Sequence, residues 1–211
     1  MRSSFFKFSV RDIVEIAVLC ALAVVLDKFV RIPTGITGGS INICTVPLFI
    51  IAFRHGWFKG FIGAGLVFGV TSCIIDGYGF QYFLFDYLFA FGSIAIGGLF
   101  GIIIFKNFCK KGALGKVFAI ILVIVCVGIF CVLRTLSASV DSMIFYDYTL
   151  WASIVYNISY IGPSCIGVAI ALPLLLPVFN TINKIYPTSY LRDALDDEEE
   201  DEETKVHFKT H

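Results

Sequence analysis

Six apolar stretches, at residues 13–30, 41–53, 58–75, 80–105, 117–136 and 151–182, take up most of this 211-residue chain. A hydrocarbon layer about 30 Å thick is crossed by roughly 20 residues of helix, and every stretch but the second reaches that scale. The sequence therefore predicts an all-α polytopic membrane protein with six transmembrane helices. The second stretch is short and holds Pro47, so it should be tilted, broken or preceded by non-helical chain. The last contains Pro163, Pro173 and Pro177, which should kink it or end it early.

Composition agrees. Hydrophobic residues make up 58% and charged residues 15%, against roughly 45–50% and 25% in soluble domains. A disordered chain, a nucleic-acid binder and a water-soluble enzyme core are excluded. The formal net charge of zero conceals two unlike parts. Residues 1–187 carry 13 Lys/Arg against 7 Asp/Glu, and residues 188–211 carry 3 against 9. The first part is a membrane domain. The second is an acidic cytoplasmic tail whose run DALDDEEEDEE, at 193–203, is kept unfolded by its own repulsion.

Basic residues set the orientation. With the N-terminus inside, the inner segments hold 13 Lys/Arg, whereas the outer loops hold only Lys28, Arg31 and Arg134. Both termini are thus expected in the cytoplasm. Five spans would move Lys184 and Arg192 outside, which favours six. The charged segment before residue 13 precedes no small-residue cleavage motif, so the first stretch is expected to be retained rather than removed as a signal peptide. The seven cysteines show no C-x-x-C spacing and read as small buried hydrophobes with free thiols.

Ionisable and amide groups at membrane depth cost at least a few kcal/mol each and tend to face a protein interior. Glu15 lies near the inner end of the first stretch, within reach of headgroup water. Asp27, Lys28 and Arg31 cluster at its outer end, and Asp76 begins an outer loop. Asp86 differs, for it lies six residues inside the fourth stretch, about 9 Å along a helix. Tyr82, Phe83 and Phe89 share its face, and Tyr78 and Tyr87 are near. Asn157 lies six residues into the last stretch, with Ser153, Tyr160 and Ser164 on its face and Trp151 above it. A carboxylate, an amide and aromatic rings at one depth suit a small, flat, cationic or amine-bearing ligand. Aromatic faces attract cations by roughly 0.5–2 kcal/mol. The competing explanation is a hydrogen bond that simply ties helices together. Ala17 and Ala21, four residues apart on the first helix, would let another helix approach closely.

Enzyme signatures are missing. The chain has no Walker A loop, no GxSxG and no HExxH. His55 falls in a cytoplasmic turn, and His207 and His211 fall in the tail, so the outer half has no histidine base. The chain is not expected to be an enzyme, to bind a cofactor or to hydrolyse ATP itself.

Three segments resemble the substrate-binding S components of energy-coupling factor (ECF) vitamin transporters, and most closely the thiamine-specific ones. They are Gly38-Gly39-Ser40 through Pro47 with Arg54-His55-Gly56, then Asp76-Gly77-Tyr78 with Phe85-Asp86-Tyr87-Leu88-Phe89-Ala90-Phe91, and lastly Tyr156-Asn157-Ile158-Ser159-Tyr160 with Pro163. The resemblance implies an outward-facing pocket that captures thiamine. It also implies docking on a membrane coupling subunit driven by two cytoplasmic ATPases, in the cell membrane of a bacterium. Asp86 would bind the aminopyrimidine, with Tyr87, Asn157 and Tyr78 beside it. Tyr82 and Tyr160 would complete the pocket, and Ala17 and Ala21 would meet the coupling subunit. The family's histidine on helix five falls near Ala138, and its stacking tryptophan falls on Tyr146 or is replaced by Trp151. A thiamine precursor or another vitamin therefore stays open as ligand. An intramembrane enzyme and a ligand-free structural subunit are the alternatives from other classes.

Overall fold

The computed structural model describes residues 8–34, 39–109 and 112–192. Helix α1 (Val10–Phe29) opens on a capping box, in which the Asp12 amide donates to the Ser9 hydroxyl and the Ser9 amide donates to the Asp12 carboxylate. These bonds occupy amides that a helix start otherwise leaves without partners. After α1 the chain is extended. Strands β1 (Arg31–Pro33) and β2 (Ser40–Asn42) pair antiparallel, with Arg31 opposite Asn42. The second apolar stretch thus begins as a strand rather than a helix, and helical structure starts only at Thr45. Pro47 lies in that first turn, where its missing N–H is not needed.

One helical run, Thr45–Asp76, is broken at Gly56, whose φ of 83° and ψ of 176° are non-helical. A side chain would be strained there, and glycine is not. The break is a reversal. A Cβ on Gly60 would lie 3.0 Å from Ala52, and one on Gly63 would lie 3.2 Å from Ile51. Residues 45–55 form α2, and residues 57–76 form α3, which runs back along it. α2 is hydrophobic all round and buried all round, with Leu48, Phe49, Ile51 and Ala52 inaccessible.

Three longer elements complete the bundle: α4 (Phe80–Cys109), α5 (Ala113–Tyr146) and α6 (Leu150–Ile185). Together with Thr45–Asp76, these are long and apolar enough to cross a membrane. α6 continues through Pro163, Pro173 and Pro177 and does not end early. Membrane helices tolerate proline where neighbouring groups re-satisfy the freed backbone.

Polar clusters lie at opposite ends of α1. At its start, Lys59 pairs with Asp12 at 2.8 Å, and Arg54 pairs with Glu15 and Asn183. The turn expected around His55 is present at Gly56, but Arg54, His55 and Lys59 are fully buried there, and Glu15 meets an arginine rather than headgroup water. The chain beyond α6 closes this end. The Thr188 hydroxyl donates to the Arg54 carbonyl, and the Tyr190 hydroxyl donates to the Gly98 carbonyl at 2.7 Å. The packed body therefore reaches Arg192, and the acidic run 193–203 lies outside the described residues. At the far end of α1, Lys28 bridges Asp27 at 2.8 Å and Asp76 at 2.6 Å.

Candidate ligand-binding site

The site lies at that far end, where α4 begins and where α5 gives way to α6. Gly77 and Gly79, both at positive φ, turn the chain from α3 into α4. Residues Phe83–Phe89 then wind as a wide π-type turn, a feature that frequently marks functional positions. Such a turn leaves a carbonyl without its usual partner, and the Ser137 hydroxyl of α5 donates to the carbonyl of Phe85. Asp86 sits in the middle of this turn and is thereby directed toward α5 and α6.

A cavity of about 310 Å³ opens there, within the range of small-molecule sites. Asp86, Tyr78, Tyr82, Tyr146, Asn157 and Tyr160, all singled out by the sequence, line it. Their rings form a collar. Tyr82 stacks on Tyr146 with centroids 6.0 Å apart and planes at 18°, and the series continues through Tyr148 and Tyr156 to Tyr160 in steps of 6.2, 6.1 and 5.7 Å. Asn157 is buried behind the collar. Its amide donates to Ser142 Oγ at 3.1 Å and to the Ser153 carbonyl at 2.9 Å, and its carbonyl accepts from the Tyr160 hydroxyl at 2.6 Å. Asn157 therefore positions Tyr160.

Two expected residues fall elsewhere. Trp151 is 76% exposed and does not line the cavity, because six residues at 3.6 per turn place it on a different face from Asn157. Tyr87 points into a second, smaller chamber of about 80 Å³, where its hydroxyl donates to Asp76 at 2.9 Å. Asp76 is the last residue of α3 and not part of a loop. Arg134 also lines this chamber. It lies inside α5, not in an outer loop, with its guanidinium 4.0 Å from the Phe91 ring centroid. Asp86, Tyr78 and Tyr160 form the wall shared by the two spaces.

Asp141, Ser142, Tyr148 and Tyr156 also line the main cavity, and the sequence did not single them out. Ala138, Asp141, Ser142 and Phe145 follow the i, i+3, i+4, i+7 spacing of one helix face, a signal that extends α5 past residue 136.

The chain matches the family described as Thiamine transporter protein (Thia_YuaJ) over residues 13–184. It is a member of that family. It is 33% identical to the thiamine transporter ThiT of Bacillus subtilis (strain 168), over 77% of this chain and 88% of that protein. A solved structure of ThiT from Listeria monocytogenes superposes with a TM-score of 0.63 at 22% identity, covering 85% of this chain and 97% of that one. At that identity the likeness speaks to the fold, a helical membrane bundle. The protein is a helical membrane protein whose family and curated relative are named as transporters, not enzymes.

Proposed function

We propose that this protein is the thiamine-binding S component of an ECF-type importer in a bacterial cell membrane. It captures the vitamin from outside and has no cofactor of its own. Thiamine joins an aminopyrimidine to a permanently cationic thiazolium ring, and both rings are flat. The observation that carries this proposal is the tyrosine collar with Asp86 in its wall, in a protein of the thiamine transporter family. The Asp86 carboxylate accepts hydrogen bonds from the aminopyrimidine. Tyr82, Tyr146 and Tyr160 stack on the rings or enclose them, while Asn157 holds Tyr160 in place.

Uptake needs energy that this chain does not supply, since it has no nucleotide-binding motif. A membrane coupling subunit and two ATPases provide it. The contact face is that of Ala17 and Ala21, which are exposed on α1 beside Val14, Val18 and Leu22. The expected topology is six spans with both termini inside, which places the cavity on the outer side.

Calorimetric titration of detergent-purified protein with thiamine and its pyrimidine and thiazole halves tests the proposal. Wild type should bind thiamine, and Asp86→Asn should weaken it by about 10–100-fold, the effect of losing a charge-assisted hydrogen bond. No thiamine binding by wild type would overturn the assignment. For docking, Ala17→Trp should prevent assembly with the coupling subunit and leave thiamine binding unchanged. Normal assembly of that variant would refute the contact face.

A further inference from the structure

Asp141 is a second carboxylate in the main cavity. It projects from α5 across from the start of α4, is only 4% exposed, and its Oδ1 has no hydrogen-bond partner among the described residues. A buried carboxylate oxygen left without a partner is costly, and at membrane depth it marks function more often than architecture. Asp86 lines the same cavity, and no Lys, Arg or His is among the lining residues. The basic side chains of the region, Lys28, Arg31 and Arg134, line the adjoining chamber. Asp86 borders that chamber as well, so Asp141 is the carboxylate that meets no basic lining residue among the described residues. A cationic ligand would supply the charge that balances it.

We infer that Asp141 is a ligand-binding and specificity-determining residue that pairs with a fixed cationic ring, while Asp86 takes the ring that donates hydrogen bonds. The assignment rests on thiamine as the ligand, so that Asp141 faces the thiazolium and Asp86 faces the aminopyrimidine. Electrostatic complementarity of this kind selects a ligand by charge as well as by shape. A pyrimidine alcohol lacking the thiazolium fills half of the site and leaves Asp141 unbalanced. An uncharged ring of the same shape fits sterically and leaves both carboxylates facing each other.

The test compares three probes by calorimetry on purified protein: thiamine, its analogue with a neutral thiophene in place of the thiazolium, and 4-amino-5-hydroxymethyl-2-methylpyrimidine. Wild type should bind thiamine about 10–100-fold more tightly than the thiophene analogue, the worth of one charge-assisted contact. Asp141→Asn should erase that preference, losing thiamine affinity while holding the thiophene analogue and the pyrimidine alcohol within about 3-fold. Asp86→Asn should weaken all three probes. Equal wild-type affinity for thiamine and the thiophene analogue would overturn the inference, and that comparison needs no variant to fold. So would an Asp141→Asn protein that loses both by the same factor, since the residue would then only support the structure. If wild type bound none of the probes, the thiamine assignment itself would fail.

Discussion

Asn157 has both amide hydrogens and its carbonyl oxygen engaged within the protein, through Ser142, Ser153 and Tyr160. Its influence on a ligand is therefore indirect, and it belongs to the wall rather than to the contact surface. Replacing it with leucine would leave the part-buried Tyr160 hydroxyl without this partner and would free the last ring of the collar. Asn157→Leu should lower stability by about 1–3 kcal/mol and weaken thiamine binding as well. Tyr160→Phe leaves the buried Asn157 carbonyl oxygen unpartnered and should also cost about 1–3 kcal/mol, but it keeps the ring in the collar and should hold thiamine binding within about 3-fold. Thermal unfolding in detergent, with and without thiamine, separates the two, and an equal loss of the thiamine-induced shift would contradict this division of roles. Asp86 and Asn157 were legible in the sequence because each interrupts an apolar run. Asp141 was not, because Ser137, Ser139 and Ser142 around it dilute the hydropathy that delimited the helix. Trp151 drew notice through its chemistry, but helix phase turns it outward, and phase near a helix start depends on where the first turn begins.

At the level of elements, α4 and the α2–α3 hairpin meet backbone to backbone. A Cβ on Gly98 would lie 2.4 Å from the Trp57 nitrogen, and one on Gly101 would lie 2.2 Å from the Phe53 carbonyl oxygen. Neither backbone can swing aside as a side-chain tip could. Gly98→Ala and Gly101→Ala should each destabilise the protein by about 1–3 kcal/mol or more, the cost of overpacking. Both should yield a lower unfolding temperature and a broadened size-exclusion peak. Gly128, on α5, has nothing within 4 Å of its would-be Cβ. Gly128→Ala should be neutral or stabilise by up to about 1 kcal/mol through helix propensity. A similar response at all three positions would mean that the close approach contributes nothing. The short second stretch already hinted at irregular chain before Pro47. The gap at residues 54–57 between the second and third stretches marked the turn at Gly56, but the burial of Arg54, His55 and Lys59 around it did not show, since charged residues at a membrane turn read as facing headgroup water.

For the whole molecule, charge is what distinguishes one end of the bundle from the other, and the structure changes which charges count. Arg54 and Lys59 are buried in ion pairs with Glu15 and Asp12, while Lys28 is held between two aspartates and Arg134 lies within α5. Setting these four aside leaves, among the described residues, Arg11, Lys106, Lys116, Lys184 and Arg192 on the side where α1 begins and Arg31 alone on the other. The asymmetry becomes steeper, and so does the expectation that the cavity faces outward. Cys109 offers a direct check without mutation. It is the one exposed cysteine, at the end of α4, while five others are buried and Cys131 is part-buried midway along α5. Maleimides react with thiolates in contact with water, which leaves Cys109 as the reactive thiol. α4 begins at the cavity end, so Cys109 lies at the opposite one. A membrane-impermeant maleimide should leave the wild-type protein unlabelled in intact cells and modify one thiol after permeabilisation. Labelling of Cys109 from outside would place the cavity on the cytoplasmic side, where it could not capture a vitamin from the medium.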